Sequence, residues 1–221
     1  MCTKYVSPED AAIERYWQIR PNQVWIGSNM FPRAPGPFIR RTAAETSSSQ
    51  ECLIGQWGLI PSFAKEAKVS YSTFNARFEE LPVKASYKVP WARGQRCIIP
   101  ATSFDEPCWE TGRNVWWRFT RKDGAPWGLA GLWNTWIDRS TGEVHESYTM
   151  LTVNADTHPL MRRMHKPDPA FGADEQDKRS VVSIEGAEVR QWLYGSKEEA
   201  QELIAPPSID VLDGIPTAAV R

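Results

Sequence analysis

The sequence predicts an α+β fold, built mainly from antiparallel strands in barrel-like sheets with short helices at the periphery. The length of 221 residues and the hydrophobic content of 41% suit a single domain over residues 1–221 with a sizeable core. Beyond residue 95, short runs rich in β-branched and aromatic residues alternate with turn residues. Apolar residues at helical spacing are confined to short stretches near the two ends. These patterns together indicate an antiparallel core flanked by small helices.

The N-terminal region predicts a helix, a short strand and a stiff loop. Ser7 is expected to cap the helix with Pro8 in its first turn, and apolar residues follow at helical spacing over 13–17. Residues 24–26 are predicted to form a strand. The segment 29–37 contains three prolines, which oppose regular strand pairing. We therefore expect a preorganised loop there.

The rest of the chain predicts strands joined by tight turns. The polar segment 45–50 is typical of a hairpin loop rather than of a linker between domains. Asp123-Gly124 is a hairpin signal between two predicted strands. Ser196, with Glu199 three residues later, predicts the capped start of a helix near the C-terminal end. The predicted strands are 96–99, 114–120, 127–133 and 147–153, and the predicted C-terminal helices are 187–194 and 197–204.

Composition excludes several classes of protein. No apolar run approaches the roughly 20 residues of a membrane helix, and the first residues lack the apolar core of a signal peptide. The four cysteines are scattered without a CxxC pair, and the three histidines lack the spacing of zinc ligands. We therefore expect a cytoplasmic protein, nucleoid-associated when bound to DNA, with reduced thiols, no membrane partner, no metal and no cofactor. Most of the 11 tryptophans are expected in the core.

The net charge of -1 hides an asymmetry along the chain. Residues 1–120 contain 15 Lys+Arg against 11 Asp+Glu, a balance of +4. The remainder contains 11 against 16, a balance of -5. A solvated face or a small phosphate-binding surface in the first part would both produce this pattern.

Cys2 stands out because of its position. If the initiator Met1 is removed, the chain begins with a cysteine whose thiol and free α-amine share one carbon framework. An α-amine is substantially unprotonated near neutrality and can attack an aldehyde to form an imine. The adjacent thiol can then close a five-membered thiazolidine ring. The same cysteine could alternatively act as an acyl-transfer nucleophile with its own amine as the base.

Further motifs accompany Cys2. In Asn75-Ala76-Arg77, the Asn and the Arg are two residues apart, so on a strand both side chains face the same side and could enter one pocket. Several further segments form a specific set by their order and spacing along the chain. They are Trp57-Gly58-Leu59-Ile60-Pro61, Cys97-Ile98-Ile99-Pro100-Ala101, Ser103-Phe104-Asp105-Glu106, Met164-His165-Lys166-Pro167 and Lys178-Arg179-Ser180-Val181.

With Met-Cys at the N-terminus, this set resembles the SOS response-associated peptidase (SRAP) family over nearly the whole chain. The resemblance implies a sensor of abasic sites in single-stranded DNA, in which mature Cys2 forms a thiazolidine with the ring-opened sugar aldehyde. It implies that Asn75 positions the sugar or the N-terminus and that Arg77 holds the neighbouring phosphate. It also implies that Glu106 and His165 open the sugar ring and transfer protons. The family's peptidase and lyase names would then refer to cleavage at Met1 and to the lesion chemistry.

The chain departs from the family pattern at several positions. Thr3 and Lys4 follow Cys2 where Gly and Arg are usual, and Lys4 keeps a charge for phosphate without the bidentate fork of Arg. Pro107 replaces a Trp that usually follows the catalytic Glu, and a slip of one residue would exchange Glu106 for Asp105. The further candidates for contact with DNA are Asn29, Pro32, Trp57 and Phe63, the last three as groups that stack beside bases.

Three functions remain open from the sequence. The first is the crosslinking sensor, a monomer whose partner is single-stranded DNA containing abasic sites. The second is a peptidase or amidase that acts in trans through Cys2, His165 and Glu106. The third is a non-catalytic module for single-stranded DNA in which the basic residues matter and Cys2 does not.

Overall fold

The computed structural model describes residues 1–42, 49–172 and 175–217. The described strands are β1 Lys4–Ser7, β2 Ser28–Met30, β3 Pro35–Arg41, β4 Gln50–Trp57, β5 Asn75–Arg77, β6 Arg96–Ala101, β7 Ser103–Cys108, β8 Val115–Arg121, β9 Trp127–Ile137, β10 Val144–Asn154, β11 Arg179–Val181 and β12 Leu212–Pro216. The described α-helices are α1 Asp10–Trp17, α2 Ala85–Ala92, α3 Val189–Tyr194 and α4 Lys197–Glu202. Short 3₁₀ turns occur at Phe78–Glu80, Met161–Arg163 and Gly186–Glu188. The α+β fold with mainly antiparallel strands is thus confirmed.

The larger sheet closes on itself as a five-stranded barrel. Its strands follow the order β10-β4-β3-β6-β9, and β9 pairs again with β10 to close the ring. All of these pairings are antiparallel except β10 with β4. Two short strands extend β10: β11 pairs antiparallel beyond the barrel, and β5 pairs parallel over Asn75–Arg77. Closure removes the free edges that an open sheet would expose.

The second sheet has the order β12-β8-β7-β1-β2, so the N-terminal strand β1 lies between the central strand β7 and the edge strand β2. β1 pairs with β7 in the register Lys4 with Asp105 and Tyr5 with Phe104. The chain passes from β6 directly into β7, so the two sheets share a corner. This corner brings the N-terminal residues next to the barrel.

The core consists of two clusters of buried side chains around the barrel. The Trp57, Trp127 and Trp192 side chains are fully buried, in line with a mainly structural use of tryptophan. The hydroxyls of Tyr5 and Tyr148 lie 2.6 Å apart, so neither is buried without a partner. A Cβ at Gly36 would lie 2.6 Å from the Tyr148 hydroxyl, and glycine therefore allows β3 to approach this pair.

The four predicted strands beyond residue 95 are confirmed, with β9 and β10 longer than expected. The two C-terminal helices are confirmed as well, and Ser196 forms the predicted capping box with Glu199. The N-terminal helix is present, but the prediction of Ser7 as its cap is wrong because the helix begins at Asp10. Ser7 ends β1, and its hydroxyl accepts a hydrogen bond from the Trp25 indole at 2.8 Å.

The predicted strand at residues 24–26 is wrong. The neighbouring strand is β2, Ser28–Met30, while Val24 and Ile26 are 86% and 87% exposed. The expectation that prolines keep residues 29–37 irregular is also wrong in part, since Pro35 and Pro37 lie in β3. β6 pairs with β3 only at Ile39 and Arg40, so on that side the missing proline N–H groups remove no ladder hydrogen bond.

The Asp123-Gly124 turn is present, but it does not close a hairpin. β8 pairs with β7 and β12, whereas β9 pairs with β6 and β10, so the turn carries the chain from one sheet to the other. The Asp-Gly pair therefore predicted the turn between β8 and β9 but not the strands with which they pair. Of the predicted hairpin loop 45–50, residues 45–48 lie outside the described residues, and the flanking β3 and β4 pair antiparallel. Within the described ranges, no helix has the length and apolar character needed to cross a membrane.

Candidate active site at the N-terminus

Cys2 lies immediately before β1 and is completely buried. Its thiol donates a hydrogen bond to the carbonyl oxygen of Lys4 at 3.3 Å. The Nδ2 atom of Asn75 donates to the Cys2 carbonyl oxygen at 2.6 Å. Asn75 is held by the parallel pairing of β5 with β10, and the Tyr87 hydroxyl on α2 donates to its backbone carbonyl at 3.1 Å. The Cys2 backbone is therefore fixed from the barrel side.

Glu106 and His165 approach the N-terminus from the second sheet. Glu106 is on β7 and is 1% exposed. His165 follows the 3₁₀ turn Met161–Arg163, and its backbone N–H donates to the Pro107 carbonyl on β7 at 2.6 Å. The Lys178 ammonium donates to the His165 carbonyl at 2.7 Å. These backbone bonds fix the imidazole beside the carboxylate.

The α-amino group, the imidazole and the carboxylate converge. The Met1 nitrogen lies 2.6 Å from His165 Nε2, and the same Nε2 lies 2.8 Å from Glu106 Oε2. The Met1 nitrogen and Glu106 Oε2 are 4.0 Å apart. An imidazole in contact with both an amine and a buried carboxylate can accept a proton from one and pass it to the other.

Several polar atoms at this site have no hydrogen-bond partner among the described residues. They are Asn75 Oδ1, Glu106 Oε1 and His165 Nδ1, and all are buried. His165 also has a positive φ of 63°, a left-handed conformation that is uncommon for residues other than glycine. Orphaned buried polar groups and backbone strain are costly and concentrate at functional sites.

The surroundings of the buried Cys2 side chain favour the protonated thiol over the thiolate. Burial raises the pKa of Cys2 well above its ordinary value, and the nearby negative charge of Glu106 raises it further. The thiol donates to a backbone carbonyl, while His165 contacts the α-amino group. His165 thus contacts the Met1 amine, and the Cys2 sulfur is hydrogen-bonded to the backbone instead.

Asp105 resolves the question of which carboxylate faces the site. It is 2% exposed and forms a two-point contact with Arg118, at 2.9 and 3.0 Å. Its Oδ2 lies 2.8 Å from the Lys4 ammonium. Burial alone would raise the pKa of Asp105, but the hydrogen bonds from Arg118 and Lys4 outweigh it and lower the pKa. Asp105 is thus a structural anion, and Glu106 is the carboxylate next to His165.

Asn75 and Arg77 reach different parts of the site. Asn75 contacts Cys2, whereas the Arg77 guanidinium pairs with Asp177 at 2.8 Å. Asp177 immediately precedes Lys178, the residue that binds the His165 carbonyl. Arg77 is therefore at the rim of the site, 37% exposed, rather than beside Cys2.

The candidates for contact with DNA differ in exposure. The Trp57 prediction is wrong, because its ring is fully buried between Tyr5 and Phe74 and its indole N–H donates to the Phe74 carbonyl. Phe63 is 57% exposed, Asn29 is exposed and Pro32 is half-buried, so these side chains can meet a ligand. The Lys4 ammonium is engaged by Asp105 and is not free to bind a phosphate.

Arg118 was not singled out from the sequence, and Lys4 and Lys178 have structural roles at the site that the sequence did not predict. Arg118 and Lys4 neutralise Asp105, and Lys178 anchors the His165 loop. A cleft of 460 Å³ opens beside His165; its lining includes the basic side chains of Arg162, Arg163 and Lys178 and the ring of Trp109. The run Lys178-Arg179 is a visible basic signal before a strand, but its contact with the His165 carbonyl depends on the fold.

The protein is thus a β-barrel protein with a buried cysteine at its second residue, close to an imidazole and a carboxylate. The chain belongs to the SOS response associated peptidase (SRAP) family, whose profile matches residues 1–218.

Curated relatives share this family's sequence. The chain is 35% identical over 126 residues to the abasic site processing protein YoqW of Bacillus subtilis, covering 56% of this chain and 54% of that protein. It is 32% identical over 164 residues to YoaM of the same organism, covering 72% and 64%. It is 28% identical over 223 residues to the abasic site processing protein HMCES of Pongo abelii, covering 84% and 59%. The chain thus spans somewhat more than half the length of these relatives.

Solved structures share the fold. A protein from Bordetella bronchiseptica superimposes with a TM-score of 0.85 at 34% identity, covering 98% of this chain and 100% of that chain. A protein from Bacteroides thetaiotaomicron superimposes with a TM-score of 0.78 at 22% identity, covering 99% and 93%, and this second likeness concerns the fold alone.

Proposed function

We propose that this protein processes abasic sites in single-stranded DNA by forming a covalent crosslink through Cys2 after Met1 has been removed. The observation that carries the proposal is the position of the Met1–Cys2 segment: Asn75 fixes the Cys2 carbonyl at 2.6 Å, and the Met1 amine lies 2.6 Å from His165, which contacts Glu106, so loss of Met1 would expose the Cys2 amine beside this pair. The names of the relatives YoqW and HMCES support abasic-site DNA as the substrate.

The first step is loss of Met1. Hydrolysis of the Met1–Cys2 peptide bond consumes one water and releases free methionine, leaving a new α-amine on Cys2. The new amine is one residue further into the site, where Asn75 holds the Cys2 carbonyl at 2.6 Å. Fixing this carbonyl restricts rotation of the Cys2 backbone, so the amine is oriented before the substrate arrives.

The crosslink then forms without an oxidant or another co-reactant. An abasic sugar in its ring-opened form carries an aldehyde at C1′. The Cys2 nitrogen attacks this carbon, and loss of one water gives an imine. The Cys2 sulfur then adds to the imine carbon while the thiol proton moves to the nitrogen, which closes the thiazolidine ring. The net change in these two steps is the loss of one water.

Glu106 and His165 would move the protons that these steps require. Opening of the sugar hemiacetal takes a proton from the C1′ hydroxyl and returns one to the ring oxygen, and imine formation needs a proton on the departing water. The 2.8 Å contact between His165 Nε2 and Glu106 Oε2 provides one group that accepts and one that donates. Glu106 Oε1 and His165 Nδ1 have no partner among the described residues, so the hydroxyl groups of a sugar that enters the site would hydrogen-bond to them.

The state of the thiol supports late ring closure. A Cys2 thiol whose pKa is raised by burial remains protonated at neutral pH, so it brings the proton that the imine nitrogen needs. A peptidase would instead need a thiolate paired with an imidazole. Here the thiol donates to the Lys4 carbonyl and the imidazole contacts the Met1 amine, so the described residues contain no thiol–imidazole contact at Cys2, which favours the crosslinking function over a thiol peptidase acting in trans.

The strand of DNA would approach along the surface around the rim of the site. Arg77 would contact a phosphate beside the lesion, and exposed Phe63, with Pro32 and Asn29, would contact neighbouring nucleotides. Such a site involves few nucleotides, in keeping with a chain of net charge -1.

The test uses an oligonucleotide with one abasic site and protein whose intact mass has established that Met1 is absent. Wild type is expected to give an adduct that survives a denaturing gel. Cys2→Ser keeps the amine and is expected to give an adduct only after borohydride reduction of the imine. Cys52→Ala removes another buried thiol, remote from the N-terminus on β4, and is expected to crosslink like wild type.

Three outcomes would contradict the proposal. A stable adduct of equal yield from Cys2→Ala would show that the thiol is dispensable. Binding that does not distinguish abasic from intact strands, together with no adduct from wild type, would favour the non-catalytic module. Turnover of peptides lost in Cys2→Ala, with no DNA adduct from wild type, would favour the peptidase.

A further inference from the structure

Arg77, the residue proposed to bind a DNA phosphate, is already paired in the DNA-free protein. Its Nη1 atom lies 2.8 Å from Oδ2 of Asp177, and the two side chains are 37% and 30% exposed. The other oxygen of Asp177, Oδ1, lies 3.1 Å from Nη1 of Arg179. One carboxylate therefore connects two arginines in the way that a phosphate connects two cations.

The local charges balance. Arg179 is 4% exposed and forms a two-point ion pair with Glu79, at 2.7 and 2.9 Å. Glu79 and Asp177 thus offset the charges of Arg179 and Arg77. A balanced group of this kind attracts an approaching phosphate weakly, because the field of each cation is cancelled at short distance. Strong binding at Arg77 requires Asp177 to leave.

The backbone holds Asp177 in this position. Its φ of 51° is left-handed, and its N–H donates to Asp156 Oδ2 at 3.1 Å. The next residue, Lys178, donates from its own N–H to Asp156 Oδ1 at 2.8 Å. Asp156 thereby anchors both peptide groups, while the Asp177 side chain makes its contacts only with the arginines among the described residues.

We propose that Asp177 is an intramolecular competitor for the phosphate site of Arg77, so that single-stranded DNA binds by displacing its carboxylate from the guanidinium. The inference rests on the proposed function, because it takes DNA phosphate as the ligand of Arg77. Ion pairs between partly exposed groups are weak, so the competitor is displaceable and lowers the affinity without abolishing it.

The direct test is Asp177→Asn, since asparagine tolerates the left-handed backbone and removes only the charge. Binding is measured by fluorescence anisotropy with single-stranded DNA that carries a tetrahydrofuran abasic analogue, which has no aldehyde and cannot crosslink. Asp177→Asn is expected to bind roughly two- to fivefold more tightly than wild type. Glu175→Gln is the matched control, because it removes one negative charge from an exposed side chain that lies two residues before Asp177.

A double-mutant cycle with Arg77→Gln tests whether the effect of Asp177→Asn on DNA affinity depends on Arg77. If Asp177 competes at Arg77, the tighter binding caused by Asp177→Asn disappears when Arg77 is already glutamine. Asp177→Gly, which also suits the left-handed backbone, is a second variant, and thermal unfolding of every variant is measured alongside to establish that each is folded.

Three results would overturn the inference. In the first, Asp177→Asn binds DNA no more tightly than Glu175→Gln. In the second, Asp177→Asn binds more weakly than wild type, as expected if Asp177 orients Arg77 for DNA. In the third, the tighter binding caused by Asp177→Asn persists in the presence of Arg77→Gln. Failure of the proposed function is seen separately, as absence of the adduct from wild type on true abasic DNA. The two failures therefore cannot be confused.

Discussion

Asp105 and Glu106 are adjacent carboxylates on β7, both almost completely buried, and their surroundings are opposite. Asp105 faces Arg118 and Lys4 and has a lowered pKa. Glu106 contacts His165 through one oxygen, and its other oxygen has no partner among the described residues. Alternation along a strand sends successive side chains to opposite faces of the sheet.

Two adjacent residues of β7 thus differ in role: Asp105 contributes to the stability of the fold, and Glu106 is available for the chemistry of the site. The Asp105 face is fully satisfied, so its ionised carboxylate contributes to stability. The Glu106 face is left incomplete, with an orphaned oxygen and a strained histidine backbone. A site with unsatisfied polar groups is the one that a substrate can complete. The two faces should therefore respond differently to the same isosteric substitution.

Glu106→Gln should have the largest effect on crosslinking. The change removes the proton acceptor beside His165 while preserving side-chain shape, and the rate of adduct formation should fall by about 100-fold or more. Gel-resolved single-turnover kinetics on abasic DNA measure this rate. The free energy of unfolding should change by less than about 1 kcal/mol, because glutamine keeps the side-chain volume and can still hydrogen-bond to His165. A rate within threefold of wild type would remove Glu106 from the mechanism.

Asp105→Asn should affect stability and spare the chemistry. The amide has no negative charge and only one acceptor oxygen, so it loses the two-point ion pair with Arg118 and the ion pair with Lys4, and the free energy of unfolding should fall by about 1–3 kcal/mol. Urea unfolding followed by tryptophan fluorescence measures this difference. Crosslinking of the folded variant should stay within about threefold of wild type. A 100-fold loss of rate at unchanged stability would show that the roles of the two carboxylates are reversed.

The pH dependence of stability should separate the faces further. Since the folded-state pKa of Asp105 is below its ordinary value of 3.8, its stabilisation is present above that pH and is lost as pH falls through the lower folded-state pKa. The stability difference between wild type and Asp105→Asn should therefore be full at pH 6 and shrink in acid below about pH 4. Unfolding curves of both proteins from pH 6 to pH 2 measure it, and a constant difference would contradict the assignment.

Lys4→Gln should have the smallest effect on DNA. The Lys4 charge is already engaged by Asp105, so the affinity for single-stranded DNA carrying the tetrahydrofuran analogue should change by less than about twofold. Lys84→Gln, which removes a lysine that pairs with Glu80 on the surface, provides a comparison of equal charge. Anisotropy titrations measure both variants. A tenfold loss specific to Lys4→Gln would restore Lys4 as a phosphate ligand.

Much of the fold could be predicted from local patterns. The alternating runs that became β6, β8, β9 and β10 are strongly β-forming, and the Ser196 capping box depends only on neighbouring residues. The errors concern partners: Asp123-Gly124 forms a turn as predicted, yet β8 and β9 enter different sheets. Pairing between strands depends on the whole barrel, which no local signal contains.

The sequence by itself determined the residue types at the site and their order, with Cys2 as the second residue of the chain and Asn75, Glu106 and His165 at their places along it. It could not decide which side chains are exposed or which charges are free. Four features became visible in the folded protein alone: the burial of Trp57, the ion pair of Lys4 with Asp105, the ion pair of Arg77 with Asp177, and the contact of His165 with the Met1 amine. The physical reason is that burial and electrostatic pairing are properties of contacts between distant segments, and those contacts exist only once the sheets have assembled.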